Sequence, residues 1–125
     1  MDVIELDIAI YGKKLWVAIS NDGKRLNGRF RHAYDKEGVV FDERFLKYQA
    51  VTAKVEEVES GNLGVLIVFR RRDYMTCQSI AHESTHAAGY VYDYINEDIR
   101  RTDEPYAYLV GWIADCCWKI KKSKK

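Results

Sequence analysis

Apolar residues recur at every second position near the start of the chain. Within "VIELDIAIYGKKLWVAIS" the series comprises Ile4, Leu6, Ile8, Ile10, Leu15, Val17 and Ile19. A period of two places such side chains on one face of a β-strand. The stretch therefore predicts a half-buried hairpin that turns at "YGKK".

A second hairpin is predicted further along the chain. Residues 50–58 read "AVTAKVEEV", a turn sequence "ESGNLG" follows, and "VLIVFRR" continues from residue 65. Because "VLIVF" is apolar without interruption, we expect a strand covered on both faces. Residues 29–48 show no clear period and are left unassigned.

The pattern becomes helical after residue 72. A first helix is predicted from Asp73, a suitable N-cap, to about Asn96, with small residues at helical spacing. A second helix is predicted from about Glu104 to Lys121, with Pro105 in its first turn. Antiparallel strands followed by two packed helices define an α+β fold.

Length and composition indicate one folded domain. The chain has 125 residues, 47% hydrophobic and 31% charged, with a formal net charge of +1. We expect a single domain over residues 1–118 and a solvated basic tail, "KIKKSKK", over residues 119–125. The near-zero charge does not favour nucleic acid or an anionic membrane as partner.

Sequence features favour the cytoplasm. No apolar run approaches the ~20 residues of a membrane span, and "MDVIELDIAI" carries acids where a secretory signal carries basic residues. The three cysteines are odd in number, and Cys116 and Cys117 are adjacent. We therefore expect free thiols in a reducing compartment.

The segment "AHESTHAAGY" carries the candidate chemistry. His82 and His86 are four residues apart, which places both on one face of a helix and within reach of a single Zn²⁺. Glu83 lies about 100° round that helix, where it could take a proton from a metal-bound water. The alternative interpretation is three ordinary polar residues on a helix surface.

This motif resembles the active-site helix of the zincin metallopeptidases. The resemblance covers about 45 residues, from roughly Tyr74 to Trp118. "AHESTHAAGYVYDYI…DEPYAYLVGWI" also resembles small peptidase-like proteins of phages and prophages. The resemblance implies a zinc-dependent hydrolase that acts on a peptide or protein substrate.

Zincin subfamilies differ in the position of the third zinc ligand. The metzincin pattern would require a ligand three residues after Gly89, where this chain has Tyr92. The gluzincin pattern places a glutamate on the following helix, and Glu104 is 18 residues after His86. Glu104 is therefore the predicted third ligand. Three nearby acids stay open as alternatives: Glu97, Asp98 and Asp103.

Other candidate residues follow from the same resemblance. Gluzincins often carry an acid one turn after the third ligand, but Tyr108 stands there in this chain. Tyr108 could contact a zinc-bound histidine or, as could Tyr106, donate to a developing oxyanion. Asp115 lies two turns after Tyr108 and is a weaker candidate for the contact to a zinc-bound histidine. The lone His32 is a weaker candidate for a zinc ligand.

These observations predict a single-domain zinc metallopeptidase of gluzincin type. His82, His86 and Glu104 would bind zinc, Glu83 would act as general base, and "VLIVF" or its partner strand could align the substrate. The first alternative is an inactive zincin-like protein that binds metal or a partner. The second is an interaction domain without metal, whose basic tail contacts nucleic acid.

Overall fold

Five strands precede two helices in the computed structural model, which describes residues 3–35, 38, 40–100 and 103–123. The strands are β1 (Val3–Ile8), β2 (Lys13–Ile19), β3 (Phe30–His32), β4 (Ala50–Glu57) and β5 (Leu63–Phe69). The helices are α1 (Cys77–Ile95) and α2 (Asp103–Lys122). The predicted α+β order of strands first and two packed helices last is confirmed.

The strands form one mixed sheet in the order β1-β2-β5-β4-β3. Strands β1 and β2 pair antiparallel, as do β4 and β5, so both predicted hairpins are present. The two hairpins are joined by a parallel pairing of β2 with β5. The sheet is therefore mixed, and this parallel pairing was not predicted. "VLIVF" lies in β5, between two other strands, and is covered on both faces as predicted.

Each face of the sheet carries its own apolar core. Alternate residues of β2 and β5, including Leu15, Val17 and Ile67, pack against the two helices. The intervening residues, including Trp16 and Leu66, pack against side chains from residues 26–45. The segment that sequence analysis left unassigned thus covers the second face of the sheet.

The alternation in β1 ends at Ile8. That residue is buried, whereas Ile10 is 88% exposed in a 3-10 turn over Ala9–Tyr11. Gly12 follows with φ 65°, a conformation that glycine adopts without steric cost. The turn therefore begins two residues before the predicted "YGKK".

Helix α1 begins later than predicted. Thr76 is its N-cap, with a side chain that accepts a hydrogen bond from the Ser79 backbone N–H at 3.1 Å. Asp73 instead lies in a preceding 3-10 turn, Arg72–Tyr74. The helix ends at Ile95, and its C-cap Asn96 adopts φ 58°.

Arg72 binds the C-terminal end of α2. Its Nη1 atom donates to the carbonyl oxygens of Ile120 at 2.9 Å, Lys121 at 2.6 Å and Ser123 at 3.1 Å. Residues 119–122 belong to the helix, which ends one residue after the predicted Lys121, and the basic tail over residues 119–125 stays a prediction. Lys124 and Lys125 lie outside the described residues.

The two helices pack together on one side of the sheet. Neither is both long and apolar enough to cross a lipid bilayer. The three cysteines are free thiols, as predicted, with Cys116 and Cys117 buried in the helix interface. Burial raises the pKa of Cys117 to about 12.

The parallel pairing of β2 with β5 depends on a glycine. A Cβ atom on Gly64 would lie within 2.1 Å of the Lys14 carbonyl oxygen and 2.8 Å of the Trp16 ring. Gly64 faces Lys14 in the register of the two strands. Only a residue without a side chain allows this close approach.

We expect Gly64→Ala to lower the free energy of unfolding by about 1–3 kcal/mol or more, because the neighbouring backbone must move. Gly111→Ala is the matched control, since no atom within 4 Å would meet the added methyl group. That change should be neutral or stabilise α2 by up to about 1 kcal/mol. Urea unfolding measures the free energy of unfolding of both variants. Equal stability of Gly64→Ala and the parent protein would contradict the parallel pairing.

Candidate metal centre

His82 and His86 come together on the exposed side of α1. Their Nε2 atoms are 3.1 Å apart and their ring centroids 4.7 Å apart, at an interplanar angle of 78°. The spacing follows from the helix, which brings residues four apart onto the same face. Sequence analysis predicted this convergence, and the structure shows it.

The spacing of the two nitrogens suits a shared cation. Two ligands at about 2.0–2.1 Å from a tetrahedral Zn²⁺ lie about 3.3 Å from each other. The observed 3.1 Å is close to this value. It is equally the length of a hydrogen bond, which forms when one imidazole carries its proton on Nε2 and the other does not. The pair can therefore supply two metal ligands.

Glu83 points inward rather than to solvent. Its side chain is 9% exposed, against 64% for that of His82. One residue along a helix is a rotation of about 100°, which turns Glu83 from the histidine face toward β4. Its Oε2 atom still lies 3.9 Å from Nε2 of His82. The carboxylate therefore borders both the imidazole pair and the sheet.

Thr52 on β4 holds the other carboxylate oxygen. Its Oγ1 atom donates a hydrogen bond to Oε1 of Glu83 at 2.6 Å. The same hydroxyl oxygen lies 3.4 Å from the backbone carbonyl of Glu83. A buried carboxylate is costly unless it receives hydrogen bonds, and Thr52 provides one.

Part of one edge of strand β4 lies beside this site without a partner strand among the described residues. The Arg70 N–H donates to the Gln49 carbonyl and the Glu57 N–H to the Asn62 carbonyl, so the backbone N–H and C=O groups of odd-numbered residues in this strand point toward β5. The backbone groups of even-numbered residues point toward the opposite edge, where the Lys54 carbonyl accepts from the Ala33 N–H. β3 ends at His32. Among the described residues, none pairs with the outward backbone groups of Ala50 and Thr52.

A groove follows this edge. It has a volume of about 340 Å³, and its lining includes His32, Tyr34, Val51, Thr52, Lys54 and Tyr90. The Lys54 ammonium lies 4.6 Å from the ring centroid of Tyr34 and 5.4 Å from that of Tyr90. The Tyr90 ring in turn stacks on His86 at 6.4 Å between centroids. The groove therefore meets the candidate site at two places, Thr52 and Tyr90.

The structure does not bring Glu104 to the histidine pair. Glu104 is exposed in the first turn of α2. In residues 3–35, 38, 40–100 and 103–123, no three His, Cys, Asp or Glu side chains form a group that could hold a metal ion. The assignment of Glu104 as third ligand stays a prediction.

Two tyrosines of α2 lie on different sides of the helix. The Tyr106 hydroxyl donates to the Thr85 carbonyl at 3.0 Å, one residue before His86. Burial and the nearby Tyr92 raise the pKa of Tyr106, so its phenol remains a proton donor. Tyr108 is rotated about 200° from Tyr106, is 76% exposed, and lines a separate cleft with Tyr11 and Trp112. The catalytic role of Tyr108 stays a prediction.

The remaining candidates have other contacts or positions. Asp115 pairs with Lys119 at 3.1 Å on the surface of α2. Asp98 accepts hydrogen bonds from Arg100, whose side chain lowers the pKa of that carboxyl group. Glu97 and Asp103 are exposed. His32 lies on β3 and lines the groove.

Sequence analysis missed Thr52. Thr52 stands in "AVTAKVEEV" between small and charged residues and carries no motif of its own. Its polar side chain at a helix-facing strand position is the only signal. The position can be interpreted only once the packing of α1 on β4 is known.

Comparison with protein-family models, with curated proteins and with solved structures found no match to this chain.

Proposed function

We propose that this protein is a zinc-dependent metallopeptidase. His82 and His86 are the proposed zinc ligands, and Glu83 is the proposed general base. The observation that supports this proposal is the position of the two Nε2 atoms, which lie 3.1 Å apart, with the Oε2 atom of Glu83 3.9 Å from Nε2 of His82. Two imidazoles and one adjacent carboxylate are the groups that zinc-assisted hydrolysis requires.

The donor set fits zinc, which binds imidazole nitrogen and carboxylate oxygen. A catalytic zinc site keeps three protein ligands and one open position. We assign the third ligand to Glu104, on the resemblance to gluzincins and its place at the start of the helix that packs on α1. When bound, zinc would supply a Lewis acid for the substrate carbonyl and acidify a water molecule.

The environment of Glu83 suits proton transfer. Thr52 occupies Oε1, which leaves Oε2 on the side of the imidazole pair. A carboxylate that accepts a hydrogen bond and excludes most solvent can take a proton from water and return it to the leaving amine. Tyr106 or Tyr108 is the proposed donor to the developing oxyanion.

Substrate alignment is proposed at the edge of β4 that borders the groove. Extended peptides bind exposed sheet edges through main-chain hydrogen bonds, and Ala50 and Thr52 present such groups to the groove. Of the two strands considered from the sequence, β5 is interior, so the proposal falls on its partner β4. The free thiols suit a reducing compartment, and we propose the cytoplasm.

The second candidate function is metal binding without hydrolysis, as in an inactive zincin-like protein of phage or prophage origin. The observation that favours it is that, in the described residues, no third His, Cys, Asp or Glu side chain completes a metal-binding group with the histidine pair. Zinc affinity and peptide cleavage, measured separately, distinguish the two candidates.

Zinc affinity tests the ligands. We expect the wild-type protein to bind one zinc ion per chain in competition with a chromophoric chelator. His82→Ala and His86→Ala should each weaken binding by at least about 100-fold, because each removes a ligand. Glu104→Gln should weaken it by at least about 10-fold, while the control His32→Ala should leave it unchanged. Unchanged affinity in His86→Ala would rule out the site.

Peptide cleavage tests the mechanism. With zinc bound, Glu83→Gln should cleave a quenched fluorescent peptide library at least about 100-fold more slowly than the wild type, because the amide cannot accept the proton. Its zinc affinity should be retained, and Glu59→Gln is the control at an exposed acid that is not a candidate ligand. Equal cleavage by Glu83→Gln would refute the assignment of the base. Zinc binding by the wild type without any cleavage would favour the second candidate function.

A further inference from the structure

Thr52 contacts the candidate base with its side chain and borders the groove with its backbone. Its side chain points toward α1, where it donates to Glu83, and its backbone lies on the edge of β4 that borders the groove and has no partner there among the described residues. Successive residues of a strand alternate between the two faces of the sheet. Neither Val51 nor Ala53 can therefore replace it, because both pack on the opposite face.

The hydrogen bond from Thr52 fixes which oxygen of Glu83 is available. A carboxylate has two equivalent oxygens, and free rotation would exchange them. The 2.6 Å bond to Oε1 holds that oxygen against β4, and Oε2 remains 3.9 Å from His82. A branched threonine on a paired strand has little rotational freedom of its own, so it can restrict the carboxylate.

We propose that Thr52 is the positioning residue for Glu83 and links the peptide-binding edge of β4 to the general base. This inference rests on the proposed function. A peptide strand that pairs with the backbone of Thr52 contacts the same residue that orients the base. Substrate seated on this edge therefore has its scissile carbonyl placed relative to Glu83 through one side chain.

A double-mutant cycle tests the contact without zinc or substrate. Thr52→Val, Glu83→Ala and the double variant are compared by urea unfolding of the full chain. We expect Thr52→Val to lower the unfolding midpoint when Glu83 is present, because the buried carboxylate loses its donor. In the Glu83→Ala background the same change should have little effect. Equal shifts in both backgrounds would overturn the proposal.

Kinetics of the zinc-loaded variants test the positioning role. Thr52→Val should lower kcat about 10–100-fold, the range seen when an orienting partner is removed, with zinc affinity and KM nearly unchanged. Thr52→Ser keeps the hydroxyl and should restore most of the rate. The matched control is Thr85→Val, since the Thr85 hydroxyl donates only to the Ala81 carbonyl on the exposed side of α1.

The outcomes separate the two claims. A wild-type kcat in Thr52→Val would overturn the positioning role even when the cycle shows coupling. Failure of Thr52→Ser to restore the rate would do the same, because the effect would then not depend on the hydroxyl. Absence of hydrolysis by the zinc-loaded wild type would overturn the proposed function, and the kinetic role of Thr52 with it, even where the coupling is present.

Discussion

The candidate site depends on one carboxylate that is buried between a helix and a strand. Glu83 is turned from the histidine face of α1 toward β4, where a charged group requires a hydrogen-bond donor. Thr52 supplies that donor only while α1 and β4 keep their present register. The apolar contacts that set this register also set the position of the imidazole pair, because both histidines are on the same rigid helix.

The sheet in turn depends on its parallel pair. β5 lies between β2 and β4, and its alternate side chains enter both cores. The close approach at Gly64 allows β2 and β5 to pair from their second residues, Lys14 and Gly64. β3 pairs with β4 only over residues 55–57, so in the described part of the chain the unpaired edge next to α1 belongs to β4. The topology of the sheet therefore determines which strand a peptide could join.

Much of the fold could be predicted from the sequence, since it depends on local patterns. The period of two identified both hairpins, and the helical spacing identified α1 and α2 to within a few residues. The parallel join of the hairpins could not be predicted, because alternation defines a strand but not its neighbour. Asp73 and Thr76 are both suitable N-caps, and only the extended backbone and the bond to Ser79 distinguish Thr76. The contact of Arg72 with the end of α2 could not be predicted either, because the two lie far apart in the sequence.

The candidate site also has a part that could be predicted from the sequence and a part that could not. His82, His86 and Glu83 are close in sequence, so helix geometry alone predicts their arrangement. Thr52 is 31 residues from Glu83, and its contribution needs tertiary structure. The central claim is that the two imidazoles bind one zinc ion. A crystal structure of the zinc-loaded protein tests it most directly. The account predicts one zinc at about 2.0–2.1 Å from Nε2 of both histidines, with Glu83 outside the coordination shell. Zinc bound elsewhere, or by only one of the two rings, would contradict it.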